Sequence, residues 1–98
     1  KQARQANPKL KIEVEADTVV QAKQAAEAGA DIILLDNMTP AELEKALRVI
    51  GEQTQTEASG GITIDNIREI ARTGVQFISI GAITHSAQSV DLSMEISQ

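Results

Sequence analysis

The residues able to do chemistry in this sequence fall into three groups. There are acidic side chains (Glu13, Glu15, Asp36 and Glu57), two glycine-bearing corners (Ser59-Gly60-Gly61 and Gly81-Ala82), and a single histidine, His85. Carboxylates gathered at one place hold sugar hydroxyls, or Mg²⁺ through its retained waters. Adjacent glycines after a β-prone run carry a high backbone-entropy cost, so something must need bare backbone at Gly60 and Gly61. Backbone N–H groups freed of side chains at a helix N-terminus bind an anion, and phosphate is the expected occupant. The run "IGAITHS" offers a second small-residue loop of the same kind. His85 invites a role as general base, but a lone loop histidine reads better as a hydrogen-bonding or phosphate-contacting group. With no cysteine and no second histidine, a zinc site lacks ligands. Ser59 and Ser86 have no base arranged as in a triad.

Holding these groups in place requires regular elements, and the sequence repeats them. Four β-prone runs, "KIEVEA" (11–16), "DIILLD" (31–36), "TQTEAS" (54–59) and "QFISIG" (76–81), begin 20 to 23 residues apart. Helices are expected between them. The first starts at Thr18, with Gln21 three residues on as in a capping box, and stops at Gly29. The second opens on Thr39-Pro40-Ala41-Glu42, an N-cap, a proline at the first helical position and Glu at N3, and ends near Gly51. The third begins around Thr63 to Asp65 and closes at Gly74, with Ile64, Ile67, Ile70 and Ala71 at helical spacing. Before the first strand, Lys1 to Ala6 reads as a helix end halted by Asn7-Pro8.

Strand and helix alternating at this period predict βα units, right-handed crossovers and a parallel sheet. "DIILLD" is apolar on both parities, as befits a strand covered on both faces. The pattern fits part of a βα-barrel or of an open doubly wound sheet. Since a closed eight-stranded barrel takes about 250 residues, four strands make about half of one. In parallel α/β folds ligands bind outside the carboxyl ends of the strands, and Glu15, Asp36-Asn37, Ser59-Gly60-Gly61 and Gly81 all fall there. By alternation Glu13 and Glu15 share a face opposite Ile12 and Val14. Gln55, Glu57 and Ser59 share another, as do Ser79 and Gly81. The apolar parity should meet the helices, leaving carboxylates on the barrel side, where they need cations, a metal or a polar ligand. Two blander readings stand beside this: Asp36 caps the following turn with Asn37, and Glu13 and Glu57 are internal ion-pair members.

Composition narrows the class. Nine Lys and Arg against fourteen Asp and Glu argue against nucleic acid or an anionic membrane as partner. No apolar run approaches the ~18 residues of a membrane span, and "KQARQANPKL" has no signal-peptide core, so a cytoplasmic location is expected. The sequence lacks an initial Met and reads as a piece of a longer protein. Lys23, Lys45, Arg48, Arg68 and Arg72 fall within expected helices. Lys1, Arg4, Lys9 and Lys11 lie at or before the start of the first strand. A site for a multiply phosphorylated substrate normally needs Arg or Lys. Here those cations are expected from residues outside this chain or from a partner subunit.

"KIEVEA", "ADIILLDNMTP", "EASGGITIDNIREIARTGVQFISIGAITHS" and the closing "VDLSMEI" together resemble the C-terminal part of the quinolinate phosphoribosyltransferase family. The likeness runs from about residue 10 to the end. It implies an α/β fold, the C-terminal portion of an incomplete TIM-like α/β barrel. Residues 1–98 would be part of that barrel domain, with the N-terminal domain and early barrel strands lying elsewhere. It implies a pentosyltransferase of NAD biosynthesis that joins quinolinate to 5-phosphoribosyl-1-pyrophosphate with Mg²⁺, forming nicotinate mononucleotide, pyrophosphate and CO₂. It also implies a homo-oligomer, of the dimer or hexamer-of-dimers type. By that similarity Glu15 and Asp36 match the catalytic carboxylates facing ribose and metal, the metal held through water. Ser59, Gly60 and Gly61 match the first phosphate loop. Gly81 and Ala82, with His85 nearby, match the second. The Arg and Lys residues that grip quinolinate in the family, and an upstream lysine, would lie outside these residues, so the chain alone is expected to be inactive. One departure is "QTQTEAS", since the family usually carries a more apolar third strand. The competing expectations are a related nicotinate or molybdenum-associated phosphoribosyltransferase, and a non-catalytic phosphate-binding or assembly module.

Overall fold

The computed structural model describes residues 11–81 and 83–89. The helix end expected over Lys1–Ala6, Ala82 and the closing "VDLSMEI" lie outside the described residues. Five strands form one sheet in sequential order: β1 (Glu13–Ala16), β2 (Ile32–Asp36), β3 (Gln55–Ser59), β4 (Phe77–Ile80) and β5 (Ile83–Ser86). β1 to β4 are parallel neighbours, and β5 runs antiparallel to β4. Three helices join the parallel strands: α1 (Val19–Glu27), α2 (Pro40–Ile50) and α3 (Ile67–Ala71).

Local chemistry starts two of the helices as expected. Thr39 Oγ1 accepts from the Glu42 N–H at 3.2 Å, Glu42 Oε1 accepts from the Thr39 N–H at 2.9 Å, and Pro40 leads the helix. Thr18 Oγ1 accepts from the Gln21 N–H at 3.1 Å, but Gln21 Oε1 reaches the Asp17 N–H at 2.9 Å rather than that of Thr18. α3 is shorter than the spacing predicts. Asn66 Oδ1 accepts from the Thr63 N–H at 2.8 Å, and Asn66 Nδ2 donates to the Gly61 carbonyl at 2.9 Å. That side-chain amide holds a turn where helix was expected, and it leaves Ile64 57% exposed rather than on the buried stripe.

All three helices contribute to one apolar cluster. Ala22 and Ala25 of α1, Leu43, Ala46 and Ile50 of α2, and Ile67 and Ile70 of α3 pack with Ala16, Ile33, Leu35, Ala58 and Ile78 of the sheet. Sequential parallel strands with these three helices on one face decide for the barrel type over the doubly wound sheet, which is covered on both faces. Thr56 and Ala58 are each 2% exposed, so the polar third strand is well buried on its helix side. Its one buried hydroxyl, Thr56 Oγ1, accepts from the Gln76 N–H at 3.3 Å. The opposite face is open, with Ile32, Leu34 and Phe77 only half-buried. Both-face coverage of "DIILLD" is thus half met: Ile33 and Leu35 are fully enclosed, Ile32 and Leu34 are not.

Candidate functional site

Register decides which side chains meet. Glu13 pairs with Ile32, Glu15 with Leu34, Leu34 with Glu57, Asp36 with Ser59, and Glu57 with Phe77. In-register neighbours share a face, so Glu13, Glu15, Asp36, Glu57 and Ser59 all lie on the open side, as alternation requires. Val14 packs against the apolar cluster on the other.

At the carboxyl rim Glu15 and Asp36 line one cleft of about 240 Å³ with Ala16, Asp17 and Gln21. Three larger clefts lie at the opposite rim, of about 700 Å³ around Arg72, Gly74 and Gln76, about 940 Å³ around Arg48, Gly51 and Gly74, and about 390 Å³ around Gly29, Ala30 and Ile50. They hold no carboxylate pair on the sheet face, so the smaller cleft is the chemical candidate. Asp36 is half-buried, and its Oδ1 accepts from Ser59 Oγ at 3.4 Å. Asn37 follows in the left-handed region, at φ 57°, which Asn tolerates better than most residues. Its N–H donates to the Ser59 carbonyl at 2.9 Å. The β2 and β3 corners are therefore tied to each other by backbone and side chain. Reading Asp36 as merely capping its own turn does not describe this geometry, because its recorded bond runs across to the next strand.

The first glycine corner keeps bare amides, but not at a helix start. α3 begins six residues beyond Gly61 and is five residues long, so the expected helix dipole gives way to the loop's own N–H groups. The second corner is corrected more fully. Ile80 pairs with Ile83, and "ITHS" returns as β5 instead of an open loop. Gly81 stays at the carboxyl rim, at the tip of that hairpin. His85 pairs with Ile78, which faces the helices, so it lies on the face opposite Glu15 and Asp36. Glu57, expected in an ion pair, accepts instead from the hydroxyl of Ser79, and from that of Thr84 at 3.4 Å, while those two hydroxyls lie 3.0 Å apart. The structure thus unites Glu15, Asp36, Ser59 and Gly60 and leaves His85 apart. The sequence places Asn37 at this rim only as an aid to the turn after Asp36, and it gives no sign of its bond to Ser59 or of the Glu57–Ser79–Thr84 group. Among the described residues no three carboxylates or imidazoles converge as a complete metal cage. Three acidic residues line the cleft, Glu15, Asp17 and Asp36, and carboxylates so placed suit Mg²⁺, which keeps several waters and takes only one or two protein ligands beside substrate phosphates.

The sequence matches the model of a known family, the quinolinate phosphoribosyl transferase C-terminal domain, over residues 1–95. The chain belongs to that family. A protein of Methanothermobacter thermautotrophicus named as a probable nicotinate-nucleotide pyrophosphorylase (carboxylating) is 52% identical over 91 residues, which cover 88% of this chain and 33% of that protein. The human nicotinate-nucleotide pyrophosphorylase (carboxylating) is 43% identical over 90 residues, 89% of this chain and 30% of its own length. The nicotinate-nucleotide pyrophosphorylase structure from Francisella tularensis superposes with a TM-score of 0.72 at 32% identity, over 87% of this chain and 32% of that one. The chain spans about a third of the length of the relatives it matches. Among the described residues no helix is long and apolar enough to cross a membrane.

Proposed function

We propose that this chain forms the ribose-phosphate side of a quinolinate phosphoribosyltransferase site. The complete enzyme joins quinolinate to 5-phosphoribosyl-1-pyrophosphate and releases pyrophosphate and CO₂, giving nicotinate mononucleotide. The observation that carries this is the joining of Asp36 to the Ser59-Gly60 corner, with Glu15 on the same cleft. As pyrophosphate departs, positive charge builds on the ribosyl carbon. Glu15 and Asp36 stand on one face of one rim, where fixed negative charge stabilises that centre. The bare amides of Gly60 and Gly61 donate to phosphate oxygens. Glu15 and Asp36 would also hold Mg²⁺ through its waters, and such an ion would supply positive charge opposite the pyrophosphate oxygens. Homo-oligomeric assembly and a cytoplasmic location belong to the same proposal. Exposed Ile80 and Ile83 at the hairpin are apolar surface that a neighbouring subunit would cover.

The test is Glu15→Gln and Asp36→Asn in the full-length enzyme, with nicotinate mononucleotide formation as the readout. Each should lower kcat by about 10²-fold or more with little change in thermal stability, since Glu15 is exposed and Asp36 half-buried. Activity within threefold of the native enzyme for both variants overturns the proposal. Offering nicotinate in place of quinolinate separates this reading from the related phosphoribosyltransferases.

A further inference from the structure

The bare backbone at Gly60 has a second occupant beside it. A Cβ built on Gly60 would run into Asp36 Oδ1, far inside van der Waals contact, and would lie 2.9 Å from Asn37 Oδ1. At Gly61 the same construction meets only Asn37 Oδ1, at 3.2 Å. The Asn37 amide crowds both glycines, more tightly at Gly60, whereas the far closer clash with the Asp36 carboxylate occurs at Gly60 alone. That carboxylate is also the free end of a short side chain, so an added methyl group moves the carboxylate more readily than it breaks the fold.

Resting on the proposed role of Asp36, we infer that Gly60 is a positioning residue for the Asp36 carboxylate, over and above any contact its amide makes with phosphate. Three restraints converge on that carboxylate. Ser59 Oγ reaches Oδ1 along the β2–β3 register. The Asn37 N–H fixes the adjoining corner on the Ser59 carbonyl. The missing Cβ of Gly60 leaves the space the carboxylate fills. Filling that space forces Asp36 to another rotamer, away from Ser59 Oγ. A substitution in the phosphate corner then acts on the ribose and metal side of the site, 24 positions earlier in sequence. A glycine serving phosphate alone would not depend on whether residue 36 is acidic.

The experiment is a double-mutant cycle in the full-length enzyme, read as the Kd of 5-phosphoribosyl-1-pyrophosphate with Mg²⁺ by calorimetry and as kcat and KM. Gly60→Ala, Asp36→Asn and the double variant are compared. Gly60→Asn carries the same Cβ at smaller backbone strain, because Asn adopts positive φ more easily. Gly51→Ala controls for that strain: its φ is 85° against 75° at Gly60, and nothing lies within 4 Å of its built Cβ. Gly60→Ala, Gly60→Asn and Asp36→Asn should each weaken binding about tenfold or more, and the double variant should bind no worse than Asp36→Asn alone. Gly51→Ala should lose thermal stability without losing affinity. Losses that multiply in the double variant, or a Gly60→Asn that binds within threefold of native, overturn the inference and leave the role of Asp36 standing. An Asp36→Asn enzyme that binds as native removes the role of Asp36 and the inference together.

Discussion

Asp36 and Ser59 end adjacent parallel strands in register, 23 residues apart, and the Ser59 hydroxyl donates to Asp36 Oδ1 at 3.4 Å. That length is beyond the usual range for hydroxyl donors, so the bond orients the carboxylate more than it stabilises the fold. Ser59→Ala should therefore leave folding nearly unchanged and lower kcat/KM of the full-length enzyme about fivefold, a loss of about 1 kcal/mol for one modest hydrogen bond to a charged group. Steady-state kinetics beside a thermal melt checks this. A stability loss with intact kinetics would reverse the assignment.

The helix that follows this corner is set by a local device. Thr39 and Glu42 satisfy each other's backbone N–H groups at the start of α2. Removing the Thr39 hydroxyl leaves the Glu42 N–H to water. Thr39→Ala should cost about 1 kcal/mol, seen as a lower denaturant midpoint with an unchanged slope, while Thr39→Ser should retain most of it.

The largest mutational cost is expected on the helix side of the sheet. Leu35 is completely buried among side chains of the apolar cluster, yet it adjoins Asp36. Leu35→Ala should destabilise by about 2–5 kcal/mol, transfer loss and cavity together. Denaturant unfolding measures it. Leu34, half-buried on the open face, should cost clearly less, and a larger effect at Leu34 would mean that face is covered as tightly as the other.

How much of this was legible in the sequence follows from range. The Thr39 box and the alternation that sets Glu13 and Glu15 opposite Val14 are local, and both stand as read. β5 is absent from the sequence reading, although its signals are present: two small residues stand between the β-branched Ile80 and Ile83, the spacing of a short hairpin. Small residues after a strand read as a loop, but the strand that returns carries His85 to the helix side of the sheet, away from the site. Asn66 sits five residues after the Gly61 carbonyl it binds, and its competition with helix overrode the spacing of the isoleucines. The obstruction at Gly60 lies beyond any local pattern. Two glycines in a row say that backbone must be bare, but only the register of β2 against β3 says that a carboxylate lies beside it.

Charge decides whether this rim can act alone. The cleft holding Glu15 and Asp36 is lined by Ala16, Asp17 and Gln21 besides, and no basic side chain lines it among the described residues. Lys23, Lys45 and Arg48 lie on α1 and α2, Arg68 on α3 with Arg72 at its end, and Lys11 precedes β1 at the other rim. A pyrophosphate-bearing substrate brought beside these three carboxylates meets like charge unless cations from elsewhere flank it, and each unit of unbalanced charge about 4 Å away costs roughly 1 to 4 kcal/mol near a surface. The 98-residue chain, assayed alone with quinolinate, 5-phosphoribosyl-1-pyrophosphate and Mg²⁺, should form no nicotinate mononucleotide. Clear turnover by the isolated chain would show that this acidic rim binds its substrate without outside cations, and the account of the site would have to change at that point.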